Sequence, residues 1–201
     1  MLDIQHLNKS FSKHKVLKDL NLHVYKGDLI YIHGINGSGK STLFKIICGI
    51  LEADSGRCQL SQDVYIGALI ENPGFLDHKT LQYNLSFLAS LKNRYQEERI
   101  KELCQLFQLD YNSKAKMKTY SLGMRQKAGI IQALMEDQDF ILLDEPTRGL
   151  DQEAIDCFIS LINQLHDQGK TIIIASHDYL KDIHYNKVYH LQDGHFIQNE
   201  I

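Results

Sequence analysis

The chain has 201 residues, of which 43% are hydrophobic and 23% charged, a composition typical of one globular domain. Its net charge of −3 argues against a protein that covers nucleic-acid phosphates with a basic surface. No apolar run approaches the roughly eighteen residues of a membrane-spanning helix, and the N-terminus MLDIQHLNKSF lacks signal-peptide character. The scattered cysteines predict reduced thiols in a cytosolic protein, because no C-x-x-C motif links Cys48, Cys58, Cys104 and Cys157.

The N-terminal third predicts strands followed by a loop and a helix. Residues 2–7, 16–25 and 28–33 mix alternating and continuous apolar patterns, which favour strands. The third of these strands runs directly into the glycine-rich turn GINGSGKST. Residues 43–51 then place apolar side chains at helical spacing.

The stretch YIGALIENPGF predicts a buried strand, Tyr65–Ile70, that ends at the acidic residue Glu71. Because an unpaired buried charge is costly, we expect the Glu71 carboxylate to have a partner or a function. Residues 76–136 then predict a helical insertion. One apolar stripe combines Leu81, Leu85, Leu88 and Leu91. The stripe of a second helix combines Ile100, Leu103, Cys104 and Phe107.

The remainder of the chain returns to alternating strands and helices. Apolar strands are predicted at 140–143 and 171–175, and Asp193-Gly194 predicts a hairpin turn. The intervening helix is predicted to face inward through Ile155, Phe158, Ile159 and Ile162. Continuous apolar strands that alternate with helices predict an α/β fold whose sheet is covered on both faces.

The segment GINGSGKS satisfies the phosphate-binding pattern G-x-x-x-x-G-K-[ST] between a predicted strand and a predicted helix. We expect positive φ angles at Gly34, Gly37 and Gly39, which would let the backbone approach phosphate oxygens. Inward-facing amides would form an anion nest from Asn36, Gly37, Ser38, Gly39, Lys40 and Ser41. Lys40 would reach the β- and γ-phosphates of a nucleotide, Ser41 would bind Mg²⁺, and Thr42 would contact the α-phosphate. The alternative is an ordinary glycine-rich turn before a helix.

The segment FILLDEP predicts the second half of the same site. An apolar strand that ends in two acids places Asp144 and Glu145 at the carboxyl edge of the sheet, beside the glycine-rich loop. We expect Asp144 to hold Mg²⁺ through its water shell and Glu145 to polarise an attacking water. The alternative is a solvated strand end.

Taken with these two segments, three further motifs give the chain a family resemblance. They are YSLGMRQ at 120–126, TRGLD at 147–151 and ASHD at 175–178, in that order. The whole chain resembles the nucleotide-binding subunits of ATP-binding-cassette (ABC) transporters. This implies a P-loop ATPase domain over 1–201, with a mixed sheet and an antiparallel N-terminal part. The RecA-like and β core would comprise 1–75 and 137–201, and the helical subdomain 76–136.

The resemblance also implies an ATP-dependent dimer and assigns further residues to it. Two subunits, identical or different, would lie head to tail. They would hold ATP between the glycine-rich phosphate-binding loop of one subunit and the YSLGM signature of the other. Ser121 and Gly123 would contact the γ-phosphate, although Ser121 is also explained as a simple helix cap. His177 would bridge the γ-phosphate and Glu145, and Asp151 would act across the dimer. The segment departs from the usual LSGGQ signature at Tyr120, Leu122 and Met124.

Two further assignments follow from the same resemblance. Phe11 takes the place of the aromatic residue that stacks on adenine, with Val16 packing nearby, although an aromatic residue at a strand end is commonly part of the core. Glu71 takes the place of the Q-loop glutamine and is typical of the bacitracin-resistance and lantibiotic-immunity branch. Its carboxylate would act on the Mg²⁺ side. Alternatively, it caps the next segment or pairs locally with Lys or Arg.

The resulting functional expectation is a cytoplasmic ATPase subunit, attached to the inner membrane face through a separate permease. Its cargo class would be antimicrobial peptides, for export or immunity, with no nucleic-acid partner. The alternatives are a different cargo, a soluble cassette ATPase that acts on ribosomes or DNA, and a catalytically inactive regulatory module. The residues required for hydrolysis argue against the last of these: Lys40, Asp144, Glu145 and His177.

Overall fold

The computed structural model describes residues 1–12, 14–92 and 94–199. The strands are β1 (Leu2–Phe11), β2 (His14–Val24), β3 (Leu29–His33), β4 (Ser55–Leu60), β5 (Ile66–Leu69), β6 (Phe140–Asp144), β7 (Thr171–Ser176), β8 (Lys187–Gln192) and β9 (His195–Asn199). The α-helices are α1 (Lys40–Ile47), α2 (Leu81–Ser90), α3 (Glu97–Leu106), α4 (Leu122–Leu134) and α5 (Gln152–Asp167). A short 3₁₀ helix spans Met117–Thr119.

Two sheets form the framework. The smaller sheet is antiparallel with the order β2-β1-β4, and the six-stranded sheet has the order β5-β6-β7-β3-β8-β9. The larger sheet is parallel from β5 to β8, and β9 returns antiparallel to β8. The carboxyl ends of β3, β6 and β7 therefore meet at one edge, where α/β folds bind ligands. The predicted α/β fold with a mixed sheet is confirmed.

The six-stranded sheet separates two apolar cores. On one face, Leu29 and Tyr31 of β3 pack with the helical residues of the middle of the chain. On the other face, Ile30 and Ile32 pack with α1 and the small sheet. Strands buried on both faces explain why β3, β6 and β7 are continuously apolar.

The predicted helical insertion contains α2, α3 and α4. The stripe of the second predicted helix is confirmed, since Ile100, Leu103, Cys104 and Phe107 are all buried. The first stripe is wrong at Leu91, whose side chain is 62% exposed. The reason is that α2 ends at Ser90, so Leu91 caps the helix outside its buried face. The division of the chain into a core and a helical subdomain remains a prediction.

Some predicted element boundaries differ from the structure. The first helix spans Lys40–Ile47 rather than 43–51, because Gly39 starts it in a left-handed conformation with φ of 110°. Gly49, with φ of 68°, then ends the helical path. The predicted hairpin at Asp193-Gly194 is confirmed, with φ of 51° and 83° and with Gln192 paired to His195. None of the helices in the described ranges has both the length and the apolar character that a membrane crossing requires.

Candidate nucleotide-binding site

The loop between β3 and α1 forms a phosphate cradle. Gly37 and Gly39 adopt left-handed φ angles of 83° and 110°. The expectation of positive φ at Gly34 is wrong, and its requirement for glycine is steric instead. A Cβ atom there would lie 2.5 Å from Ser38 Oγ and 2.9 Å from the Leu191 carbonyl oxygen. The loop is therefore closely packed around Gly34.

The Lys40 ammonium group lies within this loop although its side chain is only 5% exposed. Its Nζ donates to the carbonyl oxygens of Gly34 at 2.6 Å and Ile35 at 3.2 Å. It also lies 3.2 Å from Glu145 Oε1. A buried cation at a helix N-terminus is a favourable place for an anionic group such as phosphate.

The remaining predicted cradle residues surround Lys40. Asn36 is exposed, and the buried Oγ of Ser38 has no hydrogen-bond partner within the described residues. Ser41 and Thr42 are half-buried in the first turn of α1. The predicted cradle set thus lies at one point on the sheet edge, while the individual phosphate contacts remain predictions.

Asp144 at the end of β6 is the best metal-binding candidate. Its Oδ2 accepts a hydrogen bond from Ser41 Oγ. Its Oδ1 is buried without a partner within the described residues. Burial raises the pKa of Asp144. An uncompensated carboxylate oxygen beside a serine hydroxyl fits Mg²⁺, which uses few protein ligands together with substrate phosphates.

The metal candidate does not extend to a larger ligand cluster. Groups of three or more His, Cys, Asp or Glu side chains that could hold a metal ion do not occur in the described part of the chain. The side chain of Glu71 turns to Lys45, whose Nζ lies 2.6 Å from Oε1. The local Lys partner that was open as an alternative is therefore present. Metal contact by the Glu71 carboxylate stays a prediction.

Glu145 lies between the cradle and the end of β7. Its Oε2 accepts a hydrogen bond from Ser176 Oγ at 2.9 Å and lies 2.8 Å from His177 Nδ1. Burial alone would raise the pKa of Glu145, but the Ser176 hydrogen bond and the Lys40 charge outweigh burial and lower it. Glu145 is therefore a carboxylate at neutral pH and can act as a proton acceptor.

The signature and TRGLD segments begin two helices and contact each other. Ser121 caps α4 by accepting a hydrogen bond from the Met124 N–H at 3.2 Å. Asp151 caps α5 through the Ala154 N–H at 2.9 Å. A Cβ atom on Gly123 would lie 2.4 Å from the Gly149 carbonyl oxygen, so the two segments touch within one chain. Ser121 therefore has the capping role that was open as an alternative.

The segment that follows Glu71 packs on the signature helix. A Cβ atom on Gly129 of α4 would lie 2.9 Å from Pro73 Cγ, so the proline ring sits directly on the helix backbone. Arg125 of the same helix forms an ion pair with Asp77. The segment that follows Glu71 is thus fixed to α4 through Pro73 and Asp77.

A cavity of about 470 Å³ lies beside the cradle and is lined by Val16, the 34–38 loop and the 192–194 turn. Phe11 is not among its lining residues within the described ranges. Its ring is 47% exposed and faces the Lys9 ammonium at 5.6 Å. The alternative that Phe11 belongs to the core is therefore wrong, because its ring is exposed. Its stacking on adenine stays a prediction.

Sequence reasoning assigned no role to two residues that organise the site. Gln126, 4% exposed, donates through Nε2 to the carbonyl oxygens of Glu145 at 2.9 Å and Pro146 at 3.0 Å. Ser176 is buried and holds Glu145. The available signal was a polar residue on an otherwise buried helix face or strand end, which predicts a buried hydrogen bond.

The glycine-rich loop, the Ser41–Asp144 pair and the Glu145–His177 pair define a P-loop nucleotide-binding cassette. Residues 17–148, more than half of the chain, match the ABC transporter family, and the chain belongs to that family. The predicted family resemblance is confirmed.

Several similar proteins are ATP-binding proteins of bacterial transporters. The Bacillus subtilis ABC transporter ATP-binding protein YdbJ is 35% identical over 88% of this chain and 61% of its own length. The bacitracin transport ATP-binding protein BcrA of Enterococcus faecalis is 31% identical over 88% of this chain and 61% of its own length. The lantibiotic transport ATP-binding protein SrtF of Streptococcus pyogenes is 34% identical over 88% and 80%. The chain thus spans about three fifths of the length of YdbJ and BcrA.

A solved structure has the same fold. The dimeric ATP-binding cassette MJ0796, in a post-hydrolysis state bound to ADP and Pi, superposes with a TM-score of 0.88. The superposition covers 100% of this chain and 98% of that chain at 24% sequence identity. The likeness confirms the cassette fold.

Proposed function

We propose that the chain binds and hydrolyses ATP to drive a separate membrane permease. The observation that carries the proposal is a continuous line of charged contacts at one sheet edge. Lys40 Nζ lies 3.2 Å from Glu145 Oε1, and Glu145 Oε2 lies 2.8 Å from His177 Nδ1. The Ser41–Asp144 pair lies beside this line. Phosphoryl transfer to water requires a cation that binds phosphate, a pair of residues that binds the metal ion and a group that accepts the water proton.

The residues divide the reaction between binding and activation. Lys40 gives up its hydrogen bonds to the loop carbonyls and donates instead to the β- and γ-phosphates. The backbone amides at the start of α1 bind the same phosphate oxygens. Ser41 and Asp144 would hold Mg²⁺, which would neutralise charge that builds up on the phosphates. Glu145 accepts the hydrogen bond of the attacking water and orients it. Water oxygen bonds to the γ-phosphorus while the bond from that phosphorus to the ADP oxygen breaks, giving ADP and phosphate. The water proton passes to the Glu145 carboxylate, which then releases it to solvent or to phosphate. His177 holds Glu145 and the γ-phosphate together.

The decisive experiment is the isosteric Glu145→Gln variant. We expect ATP hydrolysis to fall by a factor of about 100 or more, because the amide cannot accept the water proton. ATP binding should persist, since Lys40 and the cradle are unchanged. A Glu153→Gln variant on the exposed side of α5 is the matched control and should retain activity. Full turnover by Glu145→Gln would remove Glu145 as the water-activating group.

The active unit is a head-to-tail dimer of two cassettes. In its support, Ser121 is exposed at the start of α4, where its hydroxyl and the helix dipole are available to a second subunit's nucleotide. The ATPase rate should rise faster than linearly with subunit concentration in the absence of a permease. A linear rise from a species that sediments as a monomer would contradict the dimer.

The partner is a membrane permease and the cargo class is antimicrobial peptides, which places the cassette at the inner face of the membrane. The names of BcrA and SrtF, transport proteins for bacitracin and a lantibiotic, support this cargo class. Affinity purification of the tagged chain from native membranes should recover an integral membrane protein. Deletion of the chain should then alter resistance to bacitracin or a lantibiotic. Specific recovery of ribosomes instead would support a soluble cassette ATPase.

A further inference from the structure

The Tyr31 hydroxyl lies behind the hydrolysis site, in contact with the backbone that holds it. Tyr31 is on β3 and its side chain is only 1% exposed. Its hydroxyl donates to the carbonyl oxygen of Ser176 at 3.0 Å. Ser176 in turn donates through Oγ to Glu145 Oε2, and the next residue is His177. One tyrosine proton therefore fixes the backbone that carries both side-chain contacts of Glu145 Oε2, those from Ser176 and His177.

The same hydroxyl contacts a second polar group. Tyr31 Oη lies 3.2 Å from His33 Nδ1. The Ser176 carbonyl can only accept, so it takes the single tyrosine proton. His33 Nδ1 must then carry a proton and donate to Tyr31, which fixes its tautomer. The backbone of His33 pairs in register with Ser176 on β7 and with His190 on β8, so it lies between two neighbouring strands.

The surroundings of Tyr31 keep it neutral and immobile. Burial and the negative charges of Glu145 and Asp178 raise the pKa of Tyr31, so it stays a hydrogen-bond donor throughout the working pH range. Its ring packs against Tyr179 at 5.2 Å and Tyr185 at 5.1 Å between ring centroids. The Tyr185 hydroxyl is also buried but has no hydrogen-bond partner within the described residues. Two buried tyrosines of one cluster thus differ in whether their hydroxyl reaches the site.

We propose that Tyr31 is a positioning residue for ATP hydrolysis: its hydroxyl, held by His33, fixes the Ser176 carbonyl and thereby the orientation of Glu145 and His177. It touches no reacting atom in this role. A misaligned Glu145 still leaves the cradle intact, so nucleotide binding is unaffected while the chemical step slows. The inference rests on the proposed ATPase function.

The test compares Tyr31→Phe with Tyr185→Phe, each of which removes one buried hydroxyl from the same aromatic cluster. For Tyr31→Phe, we expect kcat to fall about tenfold, with KM for ATP changed less than about twofold. Tyr185→Phe should keep the wild-type kcat, because it removes a hydroxyl without a partner. Equal kcat values for Tyr31→Phe and the wild type, or equal losses in both variants, would overturn the proposal. An inactive wild-type protein would instead overturn the ATPase function itself.

Two further measurements separate positioning from general destabilisation. Ser176→Ala keeps the carbonyl that Tyr31 contacts but removes the hydroxyl that holds Glu145. In a double-mutant cycle, the losses of Ser176→Ala and Tyr31→Phe should therefore be less than additive. Fully additive losses would show that Tyr31 does not act on Glu145 through Ser176. His33→Leu should lower kcat in the same direction without altering the buried tyrosine ring, whereas His33→Asn, which keeps a donor, should restore part of it. Wild-type kcat in His33→Leu would count against the His33 part of the line.

Discussion

The Lys45 ammonium lies 2.6 Å from the Glu71 carboxylate and joins α1 to the end of the β5 segment. The two side chains are 33% and 56% exposed, so the pair is solvated. Glu71 itself is held in a left-handed conformation with φ of 56°. Its side chain is therefore held on the helix that carries the cradle.

Changing the Lys45–Glu71 pair should alter magnesium dependence more than stability. Because exposed ion pairs contribute only about 0–1 kcal/mol, Glu71→Gln and Lys45→Met should each leave the free energy of unfolding nearly unchanged. If the carboxylate turns to the Mg²⁺ side when nucleotide binds, Glu71→Gln should raise the Mg²⁺ concentration needed for half-maximal ATPase activity. Lys45→Met, which frees the carboxylate, should lower it.

The readout is a Mg²⁺ titration of ATPase rate at saturating ATP, with urea unfolding as the stability control. If Glu71→Gln leaves both the ATPase rate and the Mg²⁺ requirement unchanged, the carboxylate has no metal role. The Lys45 pair would then be its whole function.

Lys40→Ala should abolish measurable ATP binding. Each hydrogen bond to a charged group contributes about 1.5–3 kcal/mol, so loss of the ammonium should weaken binding by a factor of about 100 or more. The change also leaves Glu145 without its nearest cation. Calorimetric titration with ATP checks this, and Lys101→Ala on the exposed face of α3 is the control. Unchanged affinity in Lys40→Ala would refute the cradle.

Glycine 67 should be intolerant of even one added methyl group. A Cβ atom there would lie 1.9 Å from the Ala133 carbonyl oxygen, so β5 and α4 would have to separate. Gly67→Ala should therefore lower the free energy of unfolding by about 2 kcal/mol or more. Gly74→Ala is the matched control, because a Cβ atom at Gly74 meets nothing within 4 Å. Denaturant unfolding of both variants decides the matter, and equal stabilities would contradict this β5–α4 packing.

Thiol reactivity should follow burial. Burial, with a smaller effect of Asp110, raises the pKa of Cys104 to about 12, and burial raises that of Cys48 to about 11. The native state thus favours the protonated thiols. This preference stabilises the fold fully below the unfolded pKa of about 8.5 and is lost as pH rises towards the native values. Thermal unfolding temperature should accordingly fall as pH rises above 9.

Alkylation with iodoacetamide followed by mass spectrometry provides the direct measurement. Native protein near neutral pH should leave Cys104 unmodified, since it is also 1% exposed, and unfolded protein should be modified at all four cysteines. Rapid labelling of Cys104 in the native protein would show that its side chain is accessible.

The phosphate cradle was predictable because its chemistry is local in sequence. Gly37 and Gly39 need special backbone angles, and Lys40 and Ser41 follow within the same turn. The apolar run before Asp144 likewise placed that carboxylate at a sheet edge, because a continuous run predicts a buried parallel strand.

The contacts that organise the site were not predictable because they join distant segments. Gln126 reaches the Glu145 carbonyl from another element, and Tyr31 reaches Ser176 across the β3–β7 pairing. The partner in each of these contacts cannot be read from a sequence period. The Lys45 partner of Glu71 depended in the same way on where α1 passes the end of β5. Strand order and helix packing, rather than composition, decide such pairs.

The close packing of Pro73 on Gly129 restricts the substitutions that either position can accept. A larger residue at 129 would strike the proline ring, and a different residue at 73 would leave a gap above the glycine. Neither position can drift alone without cost, so the two should covary among descendants of this sequence. Arg125 and Asp77 add a charge constraint to the same joint. We therefore expect substitutions in the segment after Glu71 to be accompanied by substitutions in the signature helix.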